Sequence, residues 1–374
     1  MRFGKPKFRI GGIPSKRLSF GVDNASNSVP GQFGTGDWSI ADNNTVNGAT
    51  ITITTLPNSN GSTIASVQYQ VDGGAWTSLP AAAVGSYNVA GLSFNVAQNV
   101  AIRAVNAIGA GTASATKSVT PSGSADLDQY NARLSVSLTT STALLYNAFF
   151  AALRNGATSG IDIVAYSDCI YVVAGPASQA ARQNLINSSY SLTAVGAPTF
   201  TAFSGYLGDG SAAYLSSTIN FSNGTTLGGR DDFQVDAVNA QGNYTVGSAA
   251  FISAATAVSI YPGGSSKVQG YQAMGNNFSR STPGSVNIWD KLLSSARPNS
   301  STQQPFFDGA ASGTATTDAS IAPSAGQFRL LVSSAGSYSS TRAKFIRAGR
   351  YLGAAGTLDL RNAVNTLLIG LGAI

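Results

Sequence analysis

The sequence of 374 residues contains no histidine and only one cysteine, Cys169. Its 16 acidic residues are all aspartates, so glutamate is missing as well. Histidine is the usual general base near neutral pH and the commonest imidazole ligand of metals. Its absence excludes Ser-His-Asp and Cys-His nucleophile activation and any zinc site built on histidine. A lone cysteine excludes an intrachain disulfide and thiolate metal clusters. Cys169 sits in the apolar run CIYVVA and reads as a small buried hydrophobe. Aspartate pairs, lysine and tyrosine are what remain for catalysis. Long apolar runs are missing too. No stretch approaches the ~18 consecutive apolar residues that a membrane span needs. The start, MRFGKPKFRIGG, is basic with no apolar run behind it, so it does not read as a secretory signal. These features suit a protein made in a reducing cytoplasm without disulfides.

Charge is scarce, at 10% of residues, and unevenly placed. Arg2, Lys5, Lys7, Arg9, Lys16 and Arg17 put six cations in the first 20 residues, and no acid precedes Asp23. Without these six the chain carries 16 basic and 16 acidic residues, so the net +6 belongs to an N-terminal arm. Prolines at 6, 14 and 30, with glycines at 4, 11, 12, 21, 31, 34 and 36, forbid a long helix there. Residues 1–37 therefore read as an extended basic arm that orders only against a partner. Anchoring on a neighbouring protein would use Phe3 and Phe8 as well as Arg2, Lys5, Lys7, Arg9, Lys16 and Arg17. A disordered basic tail and a nucleic-acid contact are the alternatives. The neutral body behind the arm argues against nucleic acid.

The whole sequence is 43% apolar with frequent β-branched and aromatic residues, which suits short strands joined by small-residue turns rather than disorder. From Trp38 to Gly123, ATITITTL, SVQYQVDGGAW and NVAIRAVNAIGAG alternate apolar and polar positions. Asp72-Gly73-Gly74 supplies a hairpin turn. Residues 124–195 read as a helical lead-in. Asp126-Leu127-Asp128 opens a short helix carrying Leu127, Tyr130 and Leu134. Thr139, Thr140 and Ser141 offer N-caps to a second helix with Leu144, Leu145, Phe149, Ala152 and Leu153, ended by Gly156. IDIVAY (161–166) and CIYVVA (169–174) read as buried strands, and SQAARQNLIN (178–187) as a helix. The β pattern returns over 196–374. A closing helix over 357–371 places Leu360, Val364, Leu367, Leu368 and Leu371 on one face.

Two stretches carry resemblances. Trp38, the YQVDGGAW hairpin, AVNAIGAGTAS and the closing VTPSG make residues 38–123 resemble a fibronectin type III domain. The YNARL…NAFFAALRNG lead-in, GYLGDGSAAYL and RAGRYLGAAGTLDLRNAVNTLLIGLGA make residues 125–374 similar to a laminin-G/concanavalin-like jelly roll of phage virion accessory proteins. The implied fold is mainly β: an extended N-terminal arm, a fibronectin III-like sandwich, a small helical insert and a jelly roll over 196–374. The implied role is structural or adhesive, in a head, neck or tail fibre, without catalysis, cofactor or metal. The implied partners are other virion proteins (portal, neck, capsid or tail), a host surface glycan and further copies of the chain. The expected location is the virion surface, after assembly in the host cytoplasm.

Three groups of residues are candidate sites. On a strand, Asp232, Gln234 and Asp236 share one face. That spacing is similar to the acid-x-acid-x-acid strand of jelly-roll glucanases, where one carboxylate attacks and another donates a proton. The middle residue here is Gln234, and both outer acids are the shorter aspartate, which favours a core strand with a polar outer face. Asp209 in Gly208-Asp209-Gly210 and Asp308 beside Gly309 are calcium candidates, with a turn as the plainer reading. Tyr261, Tyr271 and Trp289, followed by Asp290, lie in Gly-, Asn- and Ser-rich loops and suit sugar stacking, with core packing as the alternative.

Overall fold

The computed structural model describes residues 27–220, 232–240, 260–261, 269–270, 290–312, 315–317, 327–332 and 338–374. Residues 1–26 of the basic arm lie outside the described residues, as do Tyr271 and Trp289. Residues 27–37 are not a free arm as expected: Gly31 N donates to Asn58 O at 2.8 Å and Phe33 is buried.

The early strands are β1 (Trp38–Asp42), β2 (Gly48–Ile53), β3 (Ile64–Val71), β4 (Thr77–Ser78), β5 (Gly85–Ala90), β6 (Gln98–Asn106), β7 (Gly109–Ala110) and β8 (Lys117–Val119). Two helices follow, α1 (Ala125–Asn131) and α2 (Thr140–Asn155). Next come β9 (Ser167–Val172), β10 (Leu192–Val195), β11 (Thr199–Thr201), β12 (Gly205–Leu207), β13 (Tyr214–Asn220) and β14 (Phe233–Ala240). The remaining strands are β15 (Ile260–Tyr261), β16 (Gln269–Gly270), β17 (Leu293–Asn299), β18 (Thr302–Phe307), β19 (Ala310–Ala311), β20 (Thr316–Thr317), β21 (Gln327–Leu330) and β22 (Arg342–Arg350). Helix α3 (Gly353–Gly370) closes the chain. The fold is mainly β and antiparallel, as the alternation in the sequence predicts.

The described residues fall into two compact units. The first comprises 27–39, Thr52–Gly85 and Ala101–Thr116. Its β3 turns into β4 through Asp72 and Gly73, both at positive φ (47° and 76°). This is the primed geometry that a tight hairpin needs, and it explains the Asp-Gly pair. Val67, Ile102 and Ala104 are buried. Asn106 is buried as well, and its amide serves as a polar staple. Its Nδ2 donates to the carbonyls of Ser28 (2.8 Å) and Ser59 (3.2 Å), and its Oδ1 accepts from Ile108 N (2.9 Å).

The second unit comprises Ile40–Ile51, Ser86–Val100 and Lys117–Ile374. Its centre is a nine-stranded sheet in the order β11-β12-β22-β14-β17-β18-β19, with β20 on β18 and β9 on β22. Alternate residues of its central strands enter two different cores. Cys169, Tyr171 and Val173 of the β9 segment, with Phe233, Val235 and Ala237 of β14, pack with Leu192, Leu215, Ile219, Phe328 and Leu330. The latter five come from a second sheet, β10-β13-β21. On the opposite face, Ile170, Val172, Val238 and Phe345 pack with Leu127, Tyr146, Phe149, Leu360, Val364 and Leu368 of the helices. A sheet covered on both faces buries its central strands at nearly every position, as in β22, where Ala343 through Gly349 are all buried.

Helix α2 begins and ends where its caps predict. Thr139 Oγ1 accepts from Thr142 N, and Gly156 terminates it at φ 45°. Its buried face is Ala143, Tyr146, Phe149, Phe150 and Leu153. Leu144, expected inside, is 43% exposed, because the face rotates towards the tyrosine and the two phenylalanines. Two expectations fail. Residues 161–166 form turns rather than a strand: Tyr166 N donates to Asp162 O, and Asp162 Oδ1 accepts from Ala165 N. Ile163 and Val164 are buried all the same, so the apolar run reports burial and not an extended backbone. Residues 178–187 contain only a 3₁₀ turn, Ala180–Arg182, because Asn184 departs from helix to bond β9. Asn184 Oδ1 accepts from Ile170 N at 3.0 Å. The closing helix forms as expected, with Leu360, Val364, Leu367 and Leu368 buried.

Candidate functional site

The acid strand is sealed. Asp236 and Gln234 do share a face of β14, with Gln234 Nε2 donating to Asp236 Oδ1 at 2.7 Å. That face is not outer: Gln234, Asp236 and Val238 are all buried, and the start of α3 lies over Gln234. Leu352 N donates to Gln234 Oε1 (3.1 Å), and Gln234 Nε2 reaches Thr357 Oγ1 (3.2 Å). Asp236 Oδ2 lies 2.9 Å from Arg347 Nη1, with both side chains wholly buried. Arg347 also donates to Ser167 Oγ and to the carbonyls of Tyr166 and Arg350. Every charge here is neutralised and bonded, which is the condition for tolerating ions in a core. Asp232 lies at the strand's start and pairs with Arg350 at 2.6 Å. The correction to the sequence reading is physical. A polar stripe on a strand marks a face that need not be solvated.

The calcium candidates are turns. Asp308 and Gly309 sit at positive φ (49° and 87°) between β18 and β19. The Asp308 carboxylate takes both Nε (2.9 Å) and Nη2 (3.0 Å) of Arg361, with Lys291 Nζ at 3.4 Å. Hydrogen bonds from Arg361 hold its carboxyl below the usual range. Asp209 accepts from the backbone of Ser211, Ala212 and Ala213, each at 2.8 Å, and these amides hold its carboxyl well below the usual range. Among the described residues no group of three or more His, Cys, Asp or Glu side chains is placed to hold a metal ion.

Of the sugar-stacking candidates, Tyr261 is described in its backbone alone, paired with Gln269 across β15-β16. Asp290 sits at φ 62°, with its Oδ1 2.5 Å from Lys344 Nζ. Lys344 is itself buried and also donates to the Ala373 carbonyl. Asp290 thus holds the end of the chain to the sheet rather than standing beside an open aromatic.

A different cluster lies on the face of β10-β13-β21 turned away from the core. Leu215, Ser217 and Ile219 of β13 point inward, which leaves Tyr214, Ser216 and Thr218 outward. Ser216 lies opposite Thr193 of β10 and Arg329 of β21, so these three form one row across the sheet. The guanidinium carbon of Arg329 lies 5.4 Å from the Tyr214 ring centroid. Tyr338, bridged to Val332, places its ring 6.2 Å from that of Tyr214, inclined by 44°. Tyr214, Arg329 and Tyr338 are each half-buried. The Arg329 side chain makes no hydrogen bond or ion pair with any described residue, and its Nε is shielded and unbonded.

The turn Gly208–Ser211 borders this cluster. Gly208 N donates to Thr341 O at 3.3 Å, and a Cβ on Gly208 would stand 1.9 Å from the Ser339 carbonyl. Only glycine allows that approach, which explains one glycine of GYLGDG. Sequence reading missed Arg329 and Tyr338. The alternation of FRLL, with Arg329 between Phe328 and Leu330, marks Arg329 as outward-facing, but its lack of a counter-ion appears only in three dimensions.

No family model matches the chain, and no curated protein matches it. Among solved structures it is similar to the sixth fibronectin type III domain of a human fibronectin type III domain-containing protein, at 23% identity over 26% of this chain and 91% of that one (TM-score 0.21). A human fourth fibronectin type III domain matches at 15% identity over 29% of this chain and 94% of the other (TM-score 0.21). Domain 4 of a GH43 extracellular arabinanase from Geobacillus stearothermophilus, solved with arabinotriose, matches at 13% identity over 52% of this chain and 97% of that one (TM-score 0.30).

Proposed function

We propose that this chain is a non-catalytic adhesion protein that holds a surface glycan on the outward face of β10-β13-β21. In the setting implied by its sequence resemblance it is a phage virion accessory protein, anchored by its basic N-terminal arm and displayed on the particle. One observation carries the reading. The cluster Tyr214, Arg329 and Tyr338 offers aromatic faces and a cation without an ionic partner among the described residues, on the outward face of the sheet. Half-exposed tyrosines beside hydrogen-bond donors suit sugar recognition, because a pyranose presents C–H faces to a ring and hydroxyls to polar neighbours. Binding without cleavage is favoured by the state of the acids. Asp236 is buried against Arg347, Asp232 is paired with Arg350, and Asp308 with Arg361.

The test incubates the protein with a panel of bacterial surface polysaccharides and follows retention and new reducing ends together. Retention of at least one polymer without new reducing ends is expected. Release of oligosaccharides at an enzymatic rate contradicts the proposal, and so does failure to retain any polymer. Deleting residues 1–26, which spares Ser28, Gly31 and the buried Phe33 of the first unit, is expected to leave a folded protein that no longer enters particles. Normal incorporation removes the anchoring role.

A further inference from the structure

We propose that the Tyr214–Arg329–Tyr338 face selects acidic saccharides, with a sugar carboxylate seated on Arg329 and the ring against the tyrosines. This rests on the adhesion reading above and names the class of glycan.

Cations elsewhere in this unit meet carboxylates or carbonyls: Arg154 meets Asp126 at 2.6 Å, Arg361 meets Asp308, Arg347 meets Asp236, and Arg342 donates to Gly205 O at 3.1 Å. Among the described residues the Arg329 side chain meets only a tyrosine ring, although its Nε is already out of water. Asp209, on the bordering turn, directs its oxygens to Ser211, Ala212 and Ala213. It makes no bond to Arg329.

A neutral sugar laid over this face would strip water from the guanidinium and return no charge to it, which is costly. An anionic sugar removes that cost. The planar fork of arginine fits a carboxylate through two parallel hydrogen bonds, and the Tyr214 ring beside it limits where the guanidinium can move. One guanidinium balances one negative charge, which a uronic acid supplies per residue and a phosphate monoester exceeds.

The test measures retention of the full chain on immobilised polygalacturonate and alginate, on the same polymers after carboxyl reduction, and on neutral galactan and dextran. A native acidic polymer is expected to bind at least about tenfold more tightly than its reduced form. Arg329→Gln is expected to erase that difference, Arg329→Lys to restore part of it, and rising salt to weaken only the acidic binding. Equal binding to native and reduced polymers overturns the selectivity, as do an unchanged Arg329→Gln variant and retention on neutral polymers alone. If Tyr214→Ala still weakens binding in those cases, adhesion on this face survives and only the acid preference fails. If no polymer is retained, or Tyr214→Ala binds as wild type does, both fail. Unchanged melting temperatures of the variants separate lost contacts from lost structure.

Discussion

Asp236 and Arg347 form an ion pair 2.9 Å apart with neither side chain reaching solvent, between adjacent strands of the central sheet. The pair lies where the sequence offers its best catalytic suspect. Removing one partner leaves a buried charge uncompensated, which costs about 3–5 kcal/mol. Asp236→Asn and Arg347→Met are each expected to lower stability by that order, measured by urea denaturation. The double variant is expected to recover part of the loss. Polysaccharide retention at temperatures where the variants remain folded is expected to be unchanged, since the pair lies on the helix side of the sheet.

Gly208 lets the turn bearing Asp209 lie against Ser339. Gly208→Ala forces a Cβ onto the Ser339 carbonyl and is expected to destabilise by on the order of 3 kcal/mol, seen as a lowered melting temperature. Because Tyr338 precedes Ser339, this variant is also expected to weaken retention. Gly210→Ala, with its nearest neighbour at 3.8 Å, tests the strain of its positive φ (73°) alone and is expected to cost less.

Acid sensitivity follows from Asp308 and Asp359. Asp308 is lowered in the folded state by hydrogen bonds from Arg361, against a smaller rise from burial. Burial pushes Asp359 up, but bonds from Ser159 and Thr158 outweigh it, so its carboxyl is lowered too. A carboxyl lowered by folding stabilises the protein above the unfolded value, near ~3.9, and this contribution is lost as pH falls through the folded value. Stability is expected to drop below about pH 4. Asp308→Asn is expected to be less stable at pH 7 and to show a flatter decline, measured by urea midpoints across pH. An identical slope in the variant contradicts the assignment.

Burial, followed by the neighbouring Asp168 charge, pushes the Cys169 thiol up to about 12. The thiolate is the reactive form, so folded protein at pH 8 is expected to resist iodoacetamide and to label only on unfolding. Rapid labelling of native protein would contradict the burial of β9 between two cores.

Much of the fold is legible in the sequence because local rules and tertiary needs agree. Thr139 and Gly156 cap α2, Asp72-Gly73 turns β3 into β4, and the Leu360–Leu368 stripe defines α3. They disagree at 161–166, where buried Ile163 and Val164 occupy turns, and at 178–187, where Asn184 bonds a strand instead of extending a helix. The candidate site was less legible. Tyr214 stands in a flagged segment, but Arg329 and Tyr338 lie more than a hundred residues on. Only the register of β13 with β21 brings Arg329 to Tyr214. The polar stripe of β14 points the other way, since nothing local reveals that α3 covers it.

The central claim is that glycan is held at Tyr214 and Tyr338. It is tested most directly by the affinity of wild type, Tyr214→Ala and Tyr338→Ala for the best-retained polysaccharide, with melting temperatures measured in parallel. Loss of roughly 1–3 kcal/mol of binding, tenfold or more, is predicted for each variant without a matching loss of fold. Wild-type affinity in both folded variants would contradict it.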